Sequence, residues 1–163
     1  MTFSDSFLAE SADILEHVDT AAVESCVEHL AELRARSGRL FVLGVGGSAG
    51  HASHAVNDFR KLCQIEAYTP TDNVSELTAR INDDGWDSSF SDWLVGSNLN
   101  ERDGILVFSV GGGDKQRGVS ANLVSAMDTA RKRGAMVLAI VGRDGGYARL
   151  IADECVAIPP LYP

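Results

Sequence analysis

The chain is short of the features that would take it out of the ordinary folded classes. Its 163 residues contain four prolines and three cysteines, and 14 Lys plus Arg stand against 23 Asp plus Glu. No apolar run reaches the ~18 residues of a membrane span. Met1 is followed by Thr, Ser and Asp rather than by a basic flank and an apolar core. Neither a span nor a secretory signal is expected, and the compartment reads as cytoplasmic. Cys26, Cys63 and Cys155 are odd in number, far apart and set among apolar residues, which fits buried thiols better than disulfides or a zinc cluster. A formal net charge of −9 argues against a nucleic-acid surface or an anionic membrane as partner. It leaves room for a small phosphorylated ligand held by a local nest of N–H groups.

What is present begins with G44-V45-G46-G47-S48-A49-G50, directly after the apolar stretch Leu40–Leu43. The run reads as a buried strand, a glycine turn and the first turn of a helix, with Ser48 near the N-cap. Orphan N–H groups and the positive end of the helix dipole point into such a turn, and glycines let a ligand come close. The spacing matches neither the dinucleotide fingerprint nor a Walker loop, so the expected ligand is a small phosphate held by serines and amides. The bland alternative is a tight strand-to-helix turn.

At this length one domain, 1–163, is expected, burying about 70% of its unfolded surface. Residues 5–36 lack Gly and Pro, and their apolar positions recur at spacings of three and four, predicting one long N-terminal helix ended by Ser37-Gly38. Its apolar stripe exceeds what one monomer covers, so part of it is expected to pack on another subunit. Strands are predicted over 39–45, 65–68, 104–110, 135–141 and 155–158. Helices are predicted over 49–63, 74–80, 88–96, 120–133 and 147–152, with 81–86 as a polar loop. Short apolar strands separated by helices give a three-layer α/β/α sandwich around a parallel, flavodoxin-like sheet. Right-handed crossovers bring the strand-end loops to one edge, and Ser48 and Ser120 both sit there at helix starts. The chain stops at Pro159-Pro160-Leu161-Tyr162-Pro163, where such a fold would pack one more helix. A C-terminal helix missing from the chain is the expectation.

Several motifs in fixed order carry a resemblance: G46-G47-S48, His54, Asn82-Asp83 with Gly85, Ser109, Ser120-Ala121-Asn122 with Ala126, and Val141-Gly142-x-Asp144-Gly145-Gly146. Together they resemble the sugar isomerase (SIS) domain, and within it the phosphoheptose isomerases, which convert sedoheptulose 7-phosphate to the aldose heptose 7-phosphate. The resemblance implies the SIS fold, a homotetramer, a phosphorylated-sugar substrate and no redox cofactor. It places the family's catalytic glutamate on Asp58 and a substrate contact on Asp83. The chain departs from the pattern at Val45, where the family has Asn. It departs again in the longer second loop, Ser109-Val110-Gly111-Gly112-Gly113-Asp114 onward to Ser120. The family's C-terminal catalytic histidine has no counterpart within this sequence.

Aldose–ketose isomerisation moves a proton between adjacent carbons through an enediol and needs an acid for the carbonyl oxygen. Asp58 is the candidate base and would need partial burial, since an ordinary carboxylate titrates near 4. His54 lies one turn earlier on the same face, and the pair could orient an open-chain sugar or bind a divalent metal such as Zn²⁺. Two ligands do not complete a zinc site. The competing readings are a core histidine at 54 and an ion pair of Asp58 with Arg60 or Lys61. His51 reads as a solvated or interface residue. Gly46, Gly47, Ser48, Ser109, Gly111, Gly112 and Ser120 form the expected phosphate cradle, with plain helix capping as the alternative for each serine. Lys115 and Arg117 would ride on a mobile lid over the phosphate, with an idle loop as the alternative, and Asp144 would cap a turn. Two other functions use the same residues: a non-catalytic sugar-phosphate-binding regulator, and an oligomeric adaptor for a protein partner.

Overall fold

The computed structural model describes residues 1–160; Leu161-Tyr162-Pro163, the end of the predicted tail, lies outside the described residues. Five strands, β1 (Leu40–Gly44), β2 (Ala67–Tyr68), β3 (Gly104–Ser109), β4 (Met136–Val141) and β5 (Glu154–Ala157), make one sheet in the order β2-β1-β3-β4-β5. All four pairings are parallel. The expected flavodoxin-like sheet is therefore present. The apolar runs become strands because both faces of a parallel sheet are covered. Side chains alternate along each strand: Leu40, Val42, Leu106 and Leu138 enter one core, while Phe41, Leu43, Ile105, Val107 and Val137 enter the other.

The first core is roofed by α2 (Thr20–Ala35) and α3 (Gly47–Lys61), the second by α4 (Val74–Asp84), α5 (Ser89–Gly96), α6 (Ala121–Lys132) and α7 (Gly146–Ile151). A 3-10 turn at Pro70–Asp72 joins β2 to α4. Cys26 is buried, Cys63 and Cys155 are half-buried, and all three are free thiols. Among the described residues no helix is long and apolar enough to cross a membrane.

The single long N-terminal helix is corrected. The segment is two helices, α1 (Phe3–Glu16) and α2, separated at His17–Asp19. The periodicity runs through the break, but the Asp19 carboxylate accepts from Ala21 and Ala22 N–H at 2.9 and 3.2 Å and starts a new helix there. No residue of α1 is buried, and Phe3, Phe7, Leu8 and Leu15 are exposed. The loop expected at 81–86 is also corrected. Helix α4 continues through Asp84 and stops at Gly85, whose φ of +91° favours glycine. Polar residues there belong to an exposed helix face, not a loop.

At the N-terminal ends of β1 and β3 the Asp103 carboxylate, 3% exposed, is the common acceptor. It takes Arg39 Nη2 at 2.6 Å, Arg39 Nε at 3.2 Å and Arg39 N at 3.0 Å, and also the backbone and side-chain N–H groups of Asn100. Arg39 in turn donates to the Ser97 and Asn98 carbonyls. Removing one partner of a buried pair leaves several donors unpaired. Asp103→Ala should therefore lower unfolding stability by about 3–5 kcal/mol, read as a shifted urea midpoint with unchanged slope at fixed protein concentration.

Candidate functional site

The site follows from the ends of β1 and β3. Gly44 and Phe108 are in register, so the chain leaves both strands at the same height and Ser48 and Ser109 come to one cavity of about 680 Å³. Its lining is Val45, Gly47, Ser48, His51, Phe108, Ser109, Val110, Ile140, Val141, Gly142 and Ile158. No carboxylate lines it, although the chain is strongly acidic overall. Helix α3 begins at its mouth. Gly46 is the N-cap with φ +62°, and Ser48 is the second helical residue rather than the cap. Of the amides in the first turn of α3, those of Ser48 and Ala49 turn back to the Val45 and Gly46 carbonyls at 3.2 and 3.0 Å. The N-cap position is taken by Gly46, so plain N-capping does not explain this serine.

A second cavity of about 490 Å³ opens along α3 and shares His51, Phe108 and Ile140 with the first. It lies between α2 and α3 over β3 and β4, and Val23, Val27, Leu30, Ala55, Phe59, Leu106 and Val156 line it with His54 and Asp58. The two form one groove. Ile140, on an inner strand, is 38% exposed at its floor, where none of the helices among the described residues covers the sheet.

Within the groove His54 Nε2 stands 3.2 Å from Asp58 Oδ2, and their side chains are 78% and 44% exposed. The other carboxylate oxygen, Oδ1, accepts from Asn57 Nδ2 at 3.1 Å. Asp58 is therefore paired with His54 rather than with Arg60 or Lys61. Arg60 instead donates to the Ala67 carbonyl and lies over the Tyr68 ring. Burial pushes the Cys26 thiol in the same groove up to about 11.

The expected single cradle divides. Ser109 is at the groove, but its hydroxyl accepts the Gly112 N–H at 3.0 Å, which engages one of the amides expected to hold phosphate. Gly111 lines a separate cavity of about 590 Å³ with Arg117, Arg143 and Asp144. Ser120 is the N-cap of α6 in a left-handed conformation (φ +51°), makes no capping bond and lines neither part of the groove. Next to it Asn122 is wholly buried, with both amide atoms lacking a hydrogen-bond partner. Such an amide calls for an ordered water or a ligand group. Asp83 is an exposed residue near the end of α4 that accepts from Asn82 Nδ2 at 2.8 Å, and it also lines neither part of the groove.

The loop at 111–118 is latched rather than free. Asp114 and Val119 form an antiparallel bridge, and the Asp114 carboxylate accepts from the Gln116 and Arg117 amides. Lys115 donates to Asp128 at 2.7 Å and lies 5.1 Å from the centre of the Tyr147 ring, while Tyr147 donates to Asp128 at 2.5 Å. The Lys115 cation is thus turned away from the groove. Asp144 caps its turn as expected, accepting the Gly146 N–H at 3.1 Å.

His54 and Asp58, 3.2 Å apart, are the pair in the groove placed close enough to share a divalent metal. Among the described residues no cluster of three or more His, Cys, Asp or Glu could hold one. Two donors fall short of the set that zinc takes, so no chemical step is assigned to a metal. His51 is the residue that sequence reasoning undervalued. It lines both halves of the groove, and its spacing from Ser48 and Asp58 along one helix was the available signal.

A doubly wound parallel sheet whose groove opens at the strand ends, beside the point where strand order reverses, defines an open α/β protein with its ligand edge there. Within that class the chain belongs to the SIS domain family, whose sequence profile matches residues 6–142. It is 32% identical over 148 residues to the phosphoheptose isomerase of Chlorobium phaeobacteroides, covering 86% of this chain and 62% of that one. It is 30% identical over 164 residues to the lincomycin biosynthesis protein LmbN of Streptomyces lincolnensis, covering 94% and 58%. The chain thus spans less than two thirds of the length of these two relatives. The phosphoheptose isomerase GmhA from Neisseria gonorrhoeae has a similar solved structure, with a TM-score of 0.72 at 28% identity over 99% of this chain and 88% of that one. The resemblance drawn from the ordered motifs holds in sequence and in structure.

The second glycine loop owes its shape to one close approach. Gly112 has φ +68°, and a Cβ there would overlap the Gly145 carbonyl; its own carbonyl and that of Gly113 accept from Ala148 and Tyr147 at 3.0 and 2.8 Å. Gly112→Ala should cost about 1–3 kcal/mol of strain and speed hydrogen exchange at the Tyr147 and Ala148 amides. Gly111→Ala, where a methyl meets no atom closer than 4.0 Å, should leave both protected.

Proposed function

We propose that this protein is a ketose–aldose phosphosugar isomerase acting on sedoheptulose 7-phosphate to give D-glycero-D-manno-heptose 7-phosphate. The observation that carries the reading is the continuity of the groove. Ser48 and Ser109 stand at one end, His54 and Asp58 at the other, and no carboxylate lines the serine end to repel an anion. Along α3 the distance from Ser48 to Asp58 is about 15 Å at 1.5 Å per residue, a span suited to an extended sugar phosphate rather than to free phosphate. Gly47, Ser48 and Ser109 hold the phosphate with neutral donors and the start of α3. Asp58, steadied by His54 and Asn57, moves the proton between the two carbons through the enediol. The chemistry conserves redox state and calls on no redox cofactor.

The protein works as a homo-oligomer, with the tetramer of the resembled family as the expected state. Helix α1 buries none of its residues, and the groove floor at Ile140 is left open by the described residues. Both features suit cover by another copy, which would also shield Asp58 from water. Under this reading Asp83 contacts the sugar from another copy, since it lines neither part of its own groove. The regulator reading keeps the phosphate end and drops the chemistry. The exposure of His54 and Asp58 within one chain is what favours it.

The deciding experiment follows sedoheptulose 7-phosphate and a panel of hexose and pentose phosphates by NMR with the full-length protein, with and without Zn²⁺. Turnover of the heptulose phosphate that falls about 10²-fold or more in Asp58→Asn is the expected result. Saturable binding without turnover across the panel would replace the isomerase by the regulator.

A further inference from the structure

The isomerase reading gives the carbon-bound proton to Asp58 and leaves the substrate oxygens without a named partner. We propose that His51 is that partner, the acid–base group working on the two oxygens while Asp58 works on the two carbons. The inference rests on the isomerase reading and names the residue that completes its site.

Position is the first argument. His51 is the ionisable side chain shared by both halves of the groove. It lies one helical turn from Ser48 on the phosphate side and about two turns from Asp58 on the other, on the same face of α3. A sugar phosphate anchored at the serines and reaching toward Asp58 must pass its ring. Availability is the second argument. His54 is engaged with the Asp58 carboxylate at 3.2 Å. The thiol of Cys26 is held by burial in its protonated form. His51 is exposed and its imidazole has no partner among the described residues, so both ring nitrogens are open to substrate. An imidazole is also the side chain that both donates and accepts near neutral pH.

The proton balance closes with these two groups. Asp58 takes a proton from C1 of the ketose while imidazolium His51 gives one to the C2 oxygen, and the enediol forms. Neutral His51 then takes the proton from the C1 hydroxyl while Asp58 returns its proton to C2. The aldose leaves with both groups in their starting states, and nothing is oxidised or reduced overall.

The test uses the full-length protein and compares His51→Gln and His51→Ala with wild type on sedoheptulose 7-phosphate. Both variants should keep the wild-type circular dichroism spectrum and melting temperature, since the side chain is exposed and unpartnered. The expected result is a fall in kcat of about 10²-fold or more with KM changed by less than about threefold, and partial recovery of His51→Ala by added imidazole. A raised KM with unchanged kcat would overturn the proposal and make His51 an anion-holding residue. Wild-type kcat in His51→Gln, or a loss in His51→Ala that imidazole leaves untouched, would overturn it as well. If wild type itself fails to isomerise, the isomerase reading falls and takes this inference with it. Activity in wild type with full activity in the variants removes the inference alone.

Discussion

Everything at the candidate site depends on where the strand order reverses. β1 has β2 on one side and β3 on the other, and both neighbours run parallel to it. The chain leaves β1 for α3 and returns to β2 on the outer side, whereas β3 continues the sheet inward toward β4. The loops after β1 and β3 therefore part at their tops, and a crevice opens between them. Register decides what enters that crevice. With Gly44 opposite Phe108, the glycine turn and Ser109 meet at one height. A one-residue slip would turn Phe108 and Ser109 to the opposite faces. The Asp103–Arg39 cluster holds the other ends of the same two strands, so it guards that register from the far side of the sheet.

Helix α3 converts the crevice into a groove. One of its faces carries Ala52 and Val56 into the core, and the face turned to the groove carries Ser48, His51, Ala55 and Asp58. Because a helix repeats every 3.6 residues, Ser48 and the His54–Asp58 pair are set at fixed separations on one helix. The sheet surface beneath is apolar and left partly bare at Phe108 and Ile140.

Much of this was legible in the sequence, and the parts that were not share a physical cause. The four longer strands came from apolar runs that need burial on both faces, and the shared edge of their strand-end loops followed from crossover handedness. The glycine turn before Ser48 and the pairing of His54 with Asp58 came from local spacing. What escaped was competition between local signals, or contacts made at a distance. The apolar period runs unbroken past His17, yet the Asp19 carboxylate overrides it by capping a new helix. Asn82-Asp83-Asp84 looks like a loop because a helix face open to water carries the same residues. The second glycine loop looked like a mobile lid because its latch, Lys115 to Asp128 and Tyr147, joins residues 13 to 32 positions apart. His51 was undervalued for the same reason: its importance comes from lying where two cavities meet.

The isomerase proposal requires one groove to hold both ends of the substrate. The most direct measurement is a crystal structure of the full-length Asp58→Asn protein with sedoheptulose 7-phosphate bound. The expected result is phosphate density hydrogen-bonded to Ser48 and Ser109, with the first two carbons beside the substituted side chain at position 58. Phosphate seated instead in the cavity of Arg117 and Arg143, with the groove along α3 left to solvent, would contradict it.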